Sequence, residues 1–484
     1  MIPYFVGVAV LFCSLEFLLF FTAVFVLYWA LPWRSARIWL LLGASFYFYA
    51  CWNKRLALLI TATTLLDYLL AHGMERSQSP RGRKLLLFIS LFVNLGLLCY
   101  FKYTNFFLLS LDELLIAAGS PTWFRPLRVI LPIGISFYTF EAINYMVDVY
   151  RRRVPAERNL GHFLLFILFF PHLVAGPIVR ARDFLPQVRQ PKRWNWYRLH
   201  LGLQFVLMGL FKKLVIADRM AWYVDPVFGD PLGHQTGAAW IALLAYSLQV
   251  YCDFSGYSDI AIGTAHLLGY KLAQNFNMPY VAVNVADLWR RWHMSLSSWL
   301  RDYIFIPLGG SRGGEWKVHR NLFLTMTVCG LWHGAAWPFV GFGVVQGAYM
   351  MIHRVFRRYC RARPRLDAAL RSAPGTLLRM ALTFSTFCLS LVIFRATDFT
   401  NTAFMLQRLF QPVPDLQGPP LPLIGFWLTV GVVVAAHLVR HFGLWQRWNW
   451  RMPPSLLGAG YAAALMVALV LAPHGGKAFI YFQF

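Results

Sequence analysis

Acidic side chains are scarce in this chain. Its 484 residues carry 20 Asp and Glu against 45 Lys and Arg, and only 13% of all positions are charged. A soluble domain usually has about a quarter charged residues, so a water-exposed globular surface over most of the length is excluded. The seven cysteines, at positions 13, 51, 99, 252, 329, 360 and 388, form no CxxC pair and lie mostly within or beside apolar runs. They argue against a disulfide framework and against a metal site. There is no glycine-rich phosphate loop, no internal repeat and no separable soluble domain. The N-terminus lacks a basic leader followed by a short apolar run and a small-residue cleavage site, so 11–32 is expected to be a retained span. The net charge of +25 would suit nucleic acid, but the Lys and Arg fall mostly between apolar spans. That is the pattern of a positive-inside bias, and no nucleic-acid partner is expected.

What is abundant is apolar and aromatic. Hydrophobic residues make up 58% of the chain, with 19 Trp, 22 Tyr and 42 Phe, enough for interfacial belts at two membrane faces. The expected fold is an all-α polytopic integral membrane protein. Candidate spans are 11–32, 36–51, 56–73, 85–101, 129–150, 160–178, 199–216, 237–270, the two halves of 321–352, 377–396, 421–442 and 456–473, about ten to thirteen helices. Charged loops punctuate them at 75–84, 151–158, 180–198, 212–219, 290–320 and 354–365. These cannot all face one side if every segment crosses, so some segments must be half-spans or re-entrant. The Pro-rich stretch 411–422 reads as a rigid surface loop. It separates a core of 1–410, where the chemistry is expected, from apolar helices in 423–484 of the same domain.

The stretch 321–352 contains no Lys, Arg, Asp or Glu. As one helix its 32 residues would reach about 48 Å, well beyond a hydrocarbon core of about 30 Å, so a break is expected. Gly330, Gly334, Pro338, Gly341 and Gly343 offer break points, and His333 sits at the middle. An ionisable residue at that depth marks a functional site by default.

Upstream, 275–311 (NFNMPYVAVNVADLWRRWHMSLSSWLRDYIFIPLGGS) is dense in Trp, Arg and hydroxyls. Spacings of three and seven put Trp289, Trp292 and Trp299 on one face of a single helix, with His293 beside them and Ser297 one turn on. Either this is an amphipathic helix lying in the interface, or it is a re-entrant segment carrying His293 toward His333. The island YCDFSGYSD (251–259) places Asp253 and Asp259 in an apolar run, where structural pairing with Arg290 or Arg301 is expected. In FFPHLVAGP (169–177) two prolines and a glycine bend a span end, and His172 reads as an interfacial hydrogen-bonding residue. Asp67, Glu141 and Asp148 have no assignable partner.

Taken together, LWHG around His333, WRRWHMSLSSWLRDYIFIPLGGS, YCDFSGYSD, NFNMPY and FFPHLVAGPI resemble the membrane-bound O-acyltransferase (MBOAT) family. The resemblance is closest to its bacterial branch that modifies polysaccharides, typified by the membrane subunit for alginate O-acetylation. PIGISFYTFEAINYMVDVYRR (132–152), YFKYTNFF (100–107) and the terminal FIYFQF (479–484) agree with it. The resemblance implies a ring of tilted helices with re-entrant segments around a central pore. It also implies that His333 is the family's essential membrane-embedded histidine and His293 the second polar position, which is Asn in many eukaryotic members. The implied activity is O-acetylation of an exported polysaccharide such as alginate, at a bacterial inner membrane, from acetyl-CoA or another acyl thioester. A periplasmic acetyltransferase partner and contact with membrane lipid are implied too, with no bound cofactor or metal.

Such a transfer needs a base near neutral pH to activate a hydroxyl, which an imidazole supplies. His333 as base with His293 orienting it or donating to the oxyanion is one assignment, and the reverse is another. An acyl-serine at Ser297 is a third route. D-alanyl transfer to teichoic acid, acetylation of peptidoglycan or cellulose, and, in a different class, a transporter remain open alternatives. The inverted repeats expected of a transporter are not found in the sequence.

Overall fold

The structure, a computed structural model, describes residues 12–174, 176–413, 416–449, 452–472 and 479–480. Among these residues the regular elements are helical, apart from one isolated bridge between His234 and Gln417. Seven helical segments among them are long and apolar enough to cross a membrane. The protein is a multi-pass membrane protein.

Two compact units emerge. The first comprises residues up to Val206 together with Ser258–Ala273. Its helices are α1 (Leu15–Ala30), α2 (Arg34–Trp52), α3 (Lys54–Arg76), α4 (Pro80–Leu98), α5 (Thr104–Ala117), α6 (Ile135–Tyr150), α7 (Leu160–Leu168), α8 (Phe170–Leu173), α9 (Ala181–Arg189) and most of α10 (Trp196–Leu210). Local chemistry starts several of them. Ser14, Asn53, Ser79 and Asn159 accept first-turn backbone N–H groups of α1, α3, α4 and α7, and Pro80 opens α4, where its missing N–H costs nothing. A π turn at Cys99–Tyr103 joins α4 to α5 in one 38-residue helix.

Polar side chains inside this unit are paired. Asp67 of α3 accepts from Ser90 Oγ (2.5 Å) and Asn94 Nδ2 (2.9 Å) of α4. Arg83 of α4 donates to the carbonyls of Met74, Val149 and Tyr150, tying α3, α4 and α6 together. Asp148 pairs with Arg153 at 3.5 Å. These contacts replace water that hydrocarbon cannot supply. The span expected at 160–178 breaks at Phe169, just before Pro171, into α7 and α8. Gly134, with φ +76°, starts α6 against the Leu173 carbonyl, which a β-carbon there would approach to 2.4 Å.

The second unit comprises Leu207–Tyr257 and the chain from Gln274 onward. It holds α11 (Asp218–Gly229), most of α12 (Thr236–Leu267), α13 (Val285–Arg291), α14 (Met294–Leu300), α15 (Glu315–His333), α16 (Trp337–Arg361) and α17 (Pro364–Arg371). The remainder are α18 (Ala373–Arg395), α19 (Phe399–Phe410), α20 (Leu423–His441), α21 (Leu444–Asn449) and α22 (Pro454–Leu471). Two expected loops are helical. A π turn at Phe211–Ala217 carries α10 into α11 across the expected loop 212–219, because Lys213 is neutralised internally rather than exposed. The helices of the 321–352 stretch extend into the charged segments on both sides, where Glu315 at the start of α15 pairs with Arg354 (3.0 Å) and Arg358 of α16. Arg354 beside Glu315 holds its carboxyl below the usual carboxylate range. Ile424 and Leu428 of α20 and Leu469 and Val470 of α22 are exposed, as lipid-facing apolar flanks are.

Candidate active site

The stretch 321–352 does break, at one place. α15 ends at His333, and extended Gly334 leads through Ala336 into α16. A β-carbon at Gly334 would lie 2.2 Å from the Phe339 ring. Gly330, expected as a break, lies within α15, and Gly341 and Gly343 lie within α16. Their role is close approach instead. A β-carbon on Gly330 would fall 2.2 Å from the Phe339 carbonyl oxygen, and one on Gly343 2.5 Å from that of Met326. Small residues at these positions let α15 and α16 pack backbone to backbone, which fixes where the last turn of α15 ends.

That last turn places His333 among aromatic rings. The imidazole is 3% exposed and lies 5.0 Å from Trp332, 5.3 Å from Phe394 and 6.2 Å from Phe342, ring centre to ring centre. Cys329 Sγ is 3.8 Å from His333 Nε2. His333 faces the protein interior, not lipid.

The single helix expected across Trp289–Trp299 is instead two short helices. α13 ends at Arg291, Trp292 is extended, and His293 has φ 41° and ψ 55° before α14 begins. A left-handed backbone at a non-glycine residue costs about 1–3 kcal/mol and needs surrounding structure to hold it. The Asn275–Met278 strip supplies that hold. Met294 N–H donates to the Asn275 carbonyl (2.9 Å), and Asn275 Oδ1 accepts from the N–H (3.2 Å) and Oγ (2.7 Å) of Ser295. Asn277 N–H donates to the Arg291 carbonyl (2.9 Å). The kink turns His293 inward to full burial, 4.5 Å from the Phe254 ring and 5.5 Å from Trp332. Both histidines therefore contact Trp332. The three tryptophans of the expected stripe are buried, so this segment does not lie as an interfacial helix.

Other expected site residues have different partners. The Ser297 hydroxyl donates to the Trp292 carbonyl (3.2 Å), which leaves it poorly placed as a nucleophile. Asp253 pairs with Lys213 (2.7 Å) and not with Arg290 or Arg301, which reach Asp287 and Asp302. Lys213 also pairs with Asp218 (2.8 Å), so one buried ammonium serves two buried carboxylates. Asp253 Oδ2 accepts the Ile480 N–H (2.7 Å), and Phe479 packs on Tyr257 and Phe254, the ring that touches His293. Of the terminal FIYFQF motif, 481–484 lie outside the described residues, as does Ala175 of FFPHLVAGPI. His172 has a protein partner. It is buried in the first unit with Nδ1 3.2 Å from Glu141 Oε1, which also accepts the Val179 N–H (2.8 Å).

Sequence reasoning missed Lys213 and Gln346. Gln346 accepts from Trp289 Nε1 (3.2 Å) and donates to Ser390 Oγ (2.8 Å), linking α13, α16 and α18 behind the site. The signal for Lys213 was present: a lysine inside an otherwise apolar run needs a buried anion. Among the described residues no group of three or more His, Cys, Asp or Glu is placed to hold a metal ion.

Residues 154–408 match the family model of the membrane-bound O-acyltransferases, and this range includes both histidines. The chain is 39% identical over 447 residues to a probable alginate O-acetylase of Azotobacter vinelandii, covering 89% of this chain and 85% of that protein. It is 36% identical to the peptidoglycan O-acetyltransferase of Helicobacter pylori, covering 77% and 73%. Against the teichoic acid D-alanyltransferase of Bacillus subtilis the identity is 28%, covering 57% and 71%. Similarity of this extent, over a multi-pass helical fold with a buried histidine pair, makes the chain a member of the membrane-bound O-acyltransferase family and an O-acyltransferase.

Proposed function

We propose that the protein transfers an acetyl group from a cytoplasmic thioester, acetyl-CoA by preference, toward hydroxyls of an exported polysaccharide such as alginate, with His333 as general base. The observation that carries this reading is the buried position of His333 and His293 on Trp332, at ring distances of 5.0 and 5.5 Å. In the transfer, the acceptor oxygen attacks the thioester carbonyl as its proton passes to His333. The tetrahedral intermediate then expels the thiolate, which takes that proton back. His293, fixed by its strained backbone, orients His333 or donates to the developing oxyanion. Residues 1–410 form the catalytic core and 423–484 add helices to the same domain. A periplasmic acetyltransferase completes the modification, and the enzyme resides in the bacterial inner membrane. The acetyl group is favoured over D-alanine because similarity to the acetylating relatives is higher and covers more of the chain.

Replacing His333 with Ala is expected to lower the O-acetyl content of the exported polymer by about 10²- to 10⁴-fold at equal protein levels in the membrane. Unchanged acetylation in that variant overturns the assignment.

A further inference from the structure

In the second unit, buried Lys213 is given two carboxylates, Asp218 and Asp253. In the first unit a group of half-buried and exposed cations, Arg37 and Lys192 with Arg34 and Arg198, lines two neighbouring recesses. Between the turn joining α1 to α2 and the segment after α9 lies a recess of about 70 Å³, partly open to solvent, lined by Tyr28, Arg34, Arg37, Lys192 and Tyr270 among others. A second, much smaller recess of about 10 Å³ is lined by their chain neighbours Trp29, Arg193 and Gly269, and by Arg198. Among the described residues no acidic one lines either recess.

Neutral groups fix the cations in place. Arg34 Nη2 donates to the Val188 carbonyl (3.1 Å). Arg37 donates to the carbonyls of Leu31 (2.7 Å) and Lys192 (2.9 Å), with its guanidinium 5.2 and 5.1 Å from the rings of Tyr28 and Trp29. Arg198 donates to the Gly269 carbonyl (3.1 Å). Lys192 Nζ rests 4.5 Å from the centre of the Tyr270 ring and has no hydrogen-bond acceptor among the described residues. Carbonyls and rings hold geometry without cancelling charge. Burial, with repulsion from Arg198 and Arg34 added, pulls the Lys192 pKa down to about 8.

The arrangement asks for an anion, and its chemistry selects the kind. Planar guanidinium forks match the oxygens of a phosphate, an ammonium adds a point charge, and among the described residues Arg34 leaves Nε and Nη1 uncommitted. Trp33, Trp39, Trp194 and Trp196 around this region are exposed, as the tryptophans of a membrane interface are, and phosphate is concentrated at that interface. Basic pockets beside membrane helices are the usual receptors of anionic headgroups. We propose that this recess is a phosphate-binding site, filled by an anionic lipid headgroup or by the phosphate of a soluble ester. The site does not depend on the assignment of His333.

The test uses the full-length protein in uncharged detergent, titrated separately with phosphatidylglycerol, coenzyme A and inorganic phosphate. Diacylglycerol serves as the phosphate-free control, and binding is read from the shift in melting temperature. At least one phosphate-bearing probe should raise the melting temperature saturably. Its midpoint should weaken about tenfold in Lys192→Gln, the loss of one charged hydrogen bond, and stay near wild type in Lys192→Arg. Phosphatidylglycerol alone giving this pattern identifies a lipid site, and coenzyme A or phosphate giving it identifies a soluble ligand. Lys192 makes no hydrogen bond through its ammonium, so the Gln variant should melt normally without ligand. If it does not fold, Arg34→Gln gives the same reading. Midpoints equal in wild type and variant for every probe, or no phosphate-bearing probe shifting the melting temperature beyond diacylglycerol, overturn the proposal.

Discussion

Gly330→Ala adds one methyl group to the last turn of α15 and should disable the enzyme without touching a histidine. The added β-carbon would lie 2.2 Å from the Phe339 carbonyl oxygen and 2.8 Å from the Gly343 α-carbon, against about 3.4 Å for ordinary contact. Both obstacles are backbone, so no side chain can swing away, and α15 must move about 1.2 Å from the start of α16. Overpacking of this kind costs about 1–3 kcal/mol. The functional loss should be larger, because His333 lies three residues further along α15, on the last turn that the displacement carries with it. A misplacement of about 1 Å at a reacting group lowers rates by about 100-fold. The assay measures O-acyl content of the exported polymer beside protein abundance in the membrane. Gly431→Ala in α20, where a β-carbon meets nothing within 4 Å, serves as the matched control. Wild-type acylation and melting temperature in Gly330→Ala would refute the claim that backbone contact between α15 and α16 places His333.

Two further outcomes follow from the polar interior. Lys213→Met leaves Asp218 and Asp253 buried without their shared cation and should destabilise the fold by about 3–5 kcal/mol, read as detergent-solubilised unfolding. Adding Asp218→Asn and Asp253→Asn should recover much of that loss, and no recovery would refute the electrostatic explanation. Ser297→Ala should keep acyl transfer within a few-fold of wild type, since the hydroxyl only donates to the Trp292 carbonyl at a cost of about 1 kcal/mol. Complete loss of activity in a stably folded Ser297→Ala protein would restore the acyl-serine route.

The sequence by itself determined the class of the molecule and the presence of a break in its long charge-free stretch. Apolar runs of membrane length and a charge-free stretch too long for one helix are one-dimensional facts, because the bilayer reads hydrophobicity along the chain. The family motifs were equally legible, since they are short strings in a fixed order. The tertiary structure decided what depends on residues far apart in sequence. Gly330 read as a helix breaker but acts as a contact surface, because only the opposing backbone of α16 gives its missing side chain a purpose. His293 read as one position on a helical stripe but is kinked inward, because hydrogen bonds from the segment around Asn275 outweigh local helical preference. Asp253 was matched to the wrong cation, since its partner Lys213 is 40 residues upstream within an apolar run. The basic recess was invisible for the same reason: Arg34, Arg37 and Lys192 each look like ordinary loop charges until folding gathers them around one space, lined among the described residues by no carboxylate.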